Sequence, residues 1–196
     1  MIYEGIICTK RPNGTAHLSP LGYRLQRDLV VLSPFVPSNT LDNIREHGIA
    51  TLNFTDDVRI FAGCLTGRRD WPMQPAKKLD LSRLTECLGH WELEVLQELR
   101  DDVRPQFECR IVNREMHREF QGFNRAQAAV LEACILATRL DWLDPAKIRA
   151  EMRYLMIAVV KTAGENERCA WQWILEKIDS HPKHVGLQDF LQEKNE

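Results

Sequence analysis

Three polar residues in a row, Ser38, Asn39 and Thr40, stand directly before the apolar positions Leu41 and Ile44 and a stop at Gly48. That order marks a short helix with a polar N-cap and a glycine exit. A helix start exposes unpaired N–H groups and the positive end of the peptide dipoles, so these residues can simply cap their helix or can also hold a phosphate. Upstream, Ala16-His17-Leu18-Ser19-Pro20-Leu21-Gly22 offers different chemistry. Pro20 removes a ladder donor, which argues for an edge or bulged strand, and Gly22 lets a backbone or planar ligand come close. The segment can present backbone amides to a heteroaromatic ring or be a plain edge strand. Downstream, Thr51 and Asn53 alternate onto one face of a strand, where both can point at one ligand.

Other reactive residue types read more blandly. His17 has no sequence-adjacent carboxylate or cysteine to complete a triad and reads as a satisfied barrel histidine. Asp56-Asp57 lacks a His or Glu at helical spacing, so Asp56 reads as the cap of a helix beginning at Val58 rather than half of a metal site. His181 and His184 bracket Pro182, which opposes the helix that would put both on one metal. Cysteines 8, 64, 87, 109, 134 and 169 form no C-x-x-C pair and read as reduced, structural thiols. The five tryptophans are scattered and read as core or interface residues. G-x-G-x-x-G, Walker, H-E-x-x-H and G-x-S-x-G motifs are all absent, which removes the commonest nucleotide, metalloprotease and hydrolase readings.

Two kinds of element must position these residues. Residues 1 to about 119 alternate as strands: Ile2 to Thr9, a turn at Asn13-Gly14, Thr15 to Gly22, Leu29 to Leu32, Ile49 to Thr55, Trp91 to Val95 and Phe107 to Val112. Pro34 and Pro37 keep the stretch after the third strand non-helical. A small, mostly antiparallel β-barrel is expected. From Asn124 the period becomes helical. An Ala-rich segment runs to Leu140, Asp144-Pro145 restarts a helix carrying Ile148, Met152, Leu155 and Val159, and a third helix carries Trp171, Ile174, Leu175 and Ile178. The fold class is therefore α+β, with a barrel over 1–119 and a helical module over 120–196 packed on it.

Composition narrows the partners. The chain has 196 residues, 44% apolar, with 26 basic and 28 acidic side chains and a net charge of −2. No segment is basic enough to suggest nucleic acid. The longest strongly apolar uncharged runs are six residues, against roughly 18 for a membrane span. Glu4 interrupts the apolar start and no cleavage site follows, so no secretory signal and a cytoplasmic location are expected.

Taken in order, Met1-Ile2-Tyr3-Glu4-Gly5-Ile6, Asn13-Gly14, His17 to Gly22, Ser33-Pro34-Phe35, Ser38-Asn39-Thr40-Leu41-Asp42-Asn43 and Asn53 to Val58 resemble the domain-of-unknown-function family 447, DUF447. Phe120 to Ala126, Leu131 to Ala133 and Ala137 to Leu140 resemble its C-terminal part. The resemblance implies a homodimeric FMN-binding split barrel, related to flavin reductases and pyridoxamine phosphate oxidases. It implies that Ser38, Asn39 and Thr40 meet the flavin phosphate, while His17, Ser19, Pro20, Leu21, Gly22, Thr51 and Asn53 line the ring and ribityl chain. It also implies an oxidoreductase with a small-molecule substrate or electron donor, linked to tetrahydromethanopterin one-carbon metabolism; the alternative is a flavin-binding accessory protein without turnover. In the family an arginine often precedes the Pro-Phe pair, where this chain has Ser33. Arg45, Arg68, Arg69, Lys77 and Lys78 are the candidates to supply that charge.

Overall fold

Alternating apolar residues in the first half build eight strands. They are β1 (Tyr3–Lys10), β2 (Ala16–Gln26), β3 (Leu29–Leu32), β4 (Ile49–Phe54), β5 (Met73–Pro75), β6 (Ser82–Leu84), β7 (Gly89–Leu99) and β8 (Gln106–Met116), with helix α1 (Asn39–His47) between β3 and β4. The computed structural model describes residues 1–187, and these form two compact units. The first comprises 1–56 and 70–120. In it six antiparallel strands close into a barrel in the order β1-β2-β3-β8-β7-β4, and β5 and β6 pair as a separate ribbon.

Local chemistry explains the turns. Asn13 accepts the Thr15 N–H at 3.1 Å, and Gly14 takes a positive φ of 83° that a side chain would resist. The β1–β2 hairpin follows in continuous register from Lys10↔Ala16 to Tyr3↔Tyr23. Beyond it, β2 pairs with β3 only from Tyr23↔Leu32 to Gln26↔Leu29. Ala16 to Gly22 is thus hydrogen-bonded to a strand on one side only, and Pro20 sits in the middle of that one-sided stretch.

Ile7, Leu21, Tyr23, Val30, Leu32, Leu52, Leu93 and Phe107 fill the barrel. Leu41 and Ile44 of α1 join the same cluster, so the apolar face of the helix is part of the barrel core. At roughly 1.5–3 kcal/mol for each large side chain buried, these two residues fix where the helix starts.

The second unit comprises 57–69 and the chain from 121 onward. Its helices are α2 (Val58–Thr66), α3 (Arg125–Ala137), α4 (Pro145–Thr162) and α5 (Glu165–Asp179). Residues 57–69, read from sequence within the strand-rich half, group with these helices because α2 is apolar and packs on α5 and α3. Its cap is Asp57, not Asp56: Asp57 accepts the Arg59 N–H at 3.0 Å, while Asp56 pairs with Arg118 at 2.8 Å. Asp144 caps α4 through the Ala146 N–H with Pro145 in the first turn, and Glu167 reaches back to the Gly164 N–H at 2.9 Å to start α5. In α3 the buried Ala126, Ala129, Ala133 and Ala137 allow close contact with α4 and α5. Trp171 is buried in α5, whereas Trp142 is exposed.

All six cysteines are free. Burial pushes the Cys8, Cys109 and Cys134 thiols up to about 12 and Cys64 to about 11, and raises Cys87 as well. Thiolate is the reactive form. At pH 8 the native chain is therefore expected to react with a thiol reagent at Cys169 alone, which is half-buried, and at all six after denaturation. Rapid labelling of a second thiol before unfolding would contradict this.

Candidate functional site

The helix that starts at Asn39 is capped by Ser38, whose Oγ accepts the Leu41 N–H at 3.2 Å and whose carbonyl accepts the Asp42 N–H at 3.1 Å. The N–H groups of Asn39 and Thr40 have no partner inside the helix, as at any helix start. Asn39 is exposed and Thr40 is 4% exposed. The chain reaches Ser38 from β3 through Ser33-Pro34-Phe35-Val36-Pro37, in which the Val36–Pro37 peptide is cis.

A guanidinium stands on this approach. Arg104, in the hairpin between β7 and β8, donates to the Ser33 carbonyl at 3.2 Å and lies 4.2 Å over the Phe35 ring. The hairpin is held there by the Val36 N–H, which donates to the Val103 carbonyl at 3.0 Å. Asp101 shapes the turn by accepting the Arg104 and Val103 N–H groups at 2.7 and 2.8 Å, and those bonds hold its carboxyl below the ordinary range. Arg104 thus brings a positive charge to the position where Ser33 carries none. Sequence reading missed it, because residue 104 is distant from 33 along the chain and only strand register joins them.

All but one of the cations named from sequence have other partners. Arg45 binds Glu98 at 2.6 Å, Lys77 binds Glu115 at 3.0 Å, and Lys78 is exposed. Arg68 and Arg69 belong to the helical unit, where Arg68 pairs with Glu176 and Arg69 donates to the Cys64 carbonyl.

On β2, Ser19, Pro20 and Gly22 are half-buried along the one-sided stretch. Leu21 is a core residue, and His17 is buried with Nδ1 3.2 Å from the Arg11 guanidinium. Thr51 and Asn53 do share one face of β4, but that face is covered. Thr51 Oγ1 donates to the Ser82 carbonyl at 2.8 Å. Asn53 Nδ2 donates to the Ile6 carbonyl at 3.1 Å, and its Oδ1 accepts the Leu84 N–H at 2.9 Å. Their polar groups tie β1, β4 and the β5–β6 ribbon together.

Two further polar residues of β7 are buried, one of them against the segment that joins β5 to β6. Glu92 is fully buried and accepts four bonds: from the Lys77, Lys78 and Leu79 N–H groups at 2.9, 2.8 and 2.7 Å and from Asn113 Nδ2 at 2.8 Å. Burial alone would raise its pKa, but Asn113 and the three N–H groups together bring the carboxyl below the ordinary range. His90, also buried, faces His117 with Nδ1 to Nε2 at 3.0 Å. Burial first, then the Arg83 charge, holds both imidazoles below the usual histidine range. At the far end of the chain, His181 meets Asp141 and His184 meets the Leu140 carbonyl, so the two histidines have separate partners.

A six-stranded antiparallel barrel with a capped helix between its third and fourth strands has the fold of the flavin-reductase-like split barrels, and a helical part follows it in the chain. An FMN-bound DUF447 protein from Methanosarcina mazei is similar over 90% of this chain and 94% of that chain, at 21% identity and a TM-score of 0.78. Nitrilotriacetate monooxygenase component B from Mycobacterium thermoresistibile shares 16% identity over 60% of this chain and 70% of that one, at a TM-score of 0.52. A flavoredoxin from Methanosarcina acetivorans shares 17% over 62% and 71%, at 0.51. The particular family follows from the sequence match: the DUF447 N-terminal domain covers residues 3–118 and its C-terminal part residues 124–176, so the chain belongs to DUF447, a family described as of unknown function.

Proposed function

We propose that this chain is an FMN-binding flavoprotein of flavin-reductase-like type, exchanging electrons with a small-molecule donor or acceptor. The observation that carries the reading is the start of α1, where a capped helix leaves the Asn39 and Thr40 N–H groups open and Arg104 sets a guanidinium over the segment leading in. A phosphate suits that donor set. An FMN-bound relative spanning 90% of the chain supports the choice of cofactor. In this reading Ser19, Pro20 and Gly22 lie along the ring, because they belong to the stretch of β2 that pairs with a strand on one side only. Bound FMN supplies the electron and hydride transfer, while the protein supplies binding, orientation and electrostatics.

The test compares FMN with riboflavin, which lacks the phosphate. A charge-assisted hydrogen bond contributes about 1.5–3 kcal/mol, so Arg104→Ala, which removes the guanidinium, and Thr40→Ala, which removes the hydroxyl that this reading adds to the N–H donors, should each weaken FMN about tenfold or more and leave riboflavin nearly unchanged. Equal losses for both flavins would mean that these residues support the ring or the fold. Rapid bleaching of the bound flavin by NAD(P)H would mark an enzyme, and inertness toward donors an accessory flavin carrier. The connection to tetrahydromethanopterin chemistry rests on family resemblance alone.

We also propose a homodimer. Phe35 and Val103 are 56% and 62% exposed, and with Val36 and Leu99 they put apolar surface beside the start of α1. Two copies covering this surface would enclose the start of α1 from a partly apolar side, the kind of junction small-molecule sites favour. Light scattering should find a dimer at micromolar concentration and a shift toward monomer in Val103→Asp; a monomeric parent protein would remove the claim. Among the described residues no helix is long and apolar enough to cross a membrane.

A further inference from the structure

We propose that His90, Glu115 and His117 form a site for a divalent transition-metal ion, with Zn2+ as the natural probe. Strand register and one contact build it: His90 of β7 lies opposite Glu115 of β8, and His117, directly past the end of β8, sets its Nε2 3.0 Å from His90 Nδ1. The end of β8 is tied down by the His117 and Arg118 N–H groups, which donate to the Leu88 carbonyl at 2.8 and 3.1 Å. One ligand atom from each of the three side chains lies within 4.8 Å of the other two.

The surroundings have the order of a metal site. His90 Nε2 is buried without a hydrogen bond and faces Glu92 Oε1 at 3.6 Å. A carboxylate behind a histidine keeps the proton on the far nitrogen and leaves the near one with its lone pair, the usual outer-shell arrangement around a metal. Glu92 is fixed for that task by its four bonds. The near nitrogen, Nδ1, is the one 3.0 Å from His117 Nε2. Two nitrogens each about 2.0–2.1 Å from one tetrahedral ion stand somewhat farther apart than this, so the rings must part slightly as the ion enters between them. Entry comes from the Glu115 and His117 side, which is only half-buried. Lys77 now holds Glu115 at 3.0 Å and must release it; its own side chain is 66% exposed. Two imidazoles and one carboxylate leave a tetrahedral ion one open position, which water or an anionic ligand can take.

The full chain, stripped with a chelator, should bind one Zn2+ per chain, and Co2+ in the same site should give visible d–d bands. His117→Ala and Glu115→Gln should each weaken Zn2+ at least tenfold, and Glu92→Gln, acting through His90, by roughly 10- to 100-fold. Lys77→Ala, which frees Glu115 and leaves every ligand in place, should tighten it several-fold. Less than one ion per chain in the parent protein, or an affinity unchanged across His117→Ala, Glu115→Gln and Lys77→Ala, would overturn the site. Flavin binding is read separately from its own absorbance, so failure of one site does not count against the other.

Discussion

Glu92→Gln is expected to cost about 2–4 kcal/mol of folding stability, because bonds to a charged acceptor contribute about 1.5–3 kcal/mol and a buried donor left unpaired costs about 1–3 kcal/mol. The carboxylate accepts three backbone N–H groups and one amide from full burial. Glutamine keeps one oxygen and turns an NH2 toward donors, so at least one backbone N–H loses its partner in a place water does not reach. Urea unfolding in the presence of a chelator, which keeps metal out of the comparison, measures the loss. Thermal unfolding should fall by something on the order of 10 °C for a chain of this length. A loss below about 1 kcal/mol would show that residues 77–79 do not depend on Glu92 for their position.

Asn53→Ala is the second large effect, about 2–4 kcal/mol. It removes the donor to the Ile6 carbonyl and the acceptor of the Leu84 N–H, both buried, and leaves a small void. Because Leu84 belongs to β6, the ribbon from Met73 to Leu84 should loosen first, with faster hydrogen exchange at the Leu84 amide. The ratio of FMN to riboflavin affinity should stay as in the parent, since Asn53 holds strands and not a phosphate. A selective loss of FMN would instead place this side chain at the phosphate.

What could be read from the sequence was what local chemistry decides. Asn13-Gly14 turns a hairpin because Gly14 tolerates a positive φ, and Ser38 and Asp144 begin helices because their oxygens suit orphan N–H groups. The barrel class followed from alternation, and the buried faces of α4 and α5 from helical period. Asp56 and Asp57 could not be separated, because either can cap and Arg59 decides by binding Asp57. β5 and β6 have three residues each, too few to show a period. The segment between them also changes what the polar side of β7 means: Glu92 looks solvent-facing by alternation and is buried, its carboxylate taken up by the N–H groups of residues 77–79. The contacts of Arg104 with Ser33 and of His90 with His117 depend on cross-strand register, which a single sequence does not display.

The side of β2 that no strand pairs between Ala16 and Gly22 has a consequence for how the protein survives at high concentration. A strand edge that is open to a planar ligand is equally open to a strand from a stranger, and such edges seed the stacking of chains into insoluble sheets. Between Ala16 and Gly22 the interruption is Pro20: it has no N–H to offer, so an incoming strand meets a break in the row of donors at the centre of the stretch. The same residue that keeps the edge usable for a small molecule makes it a poor template for aggregation.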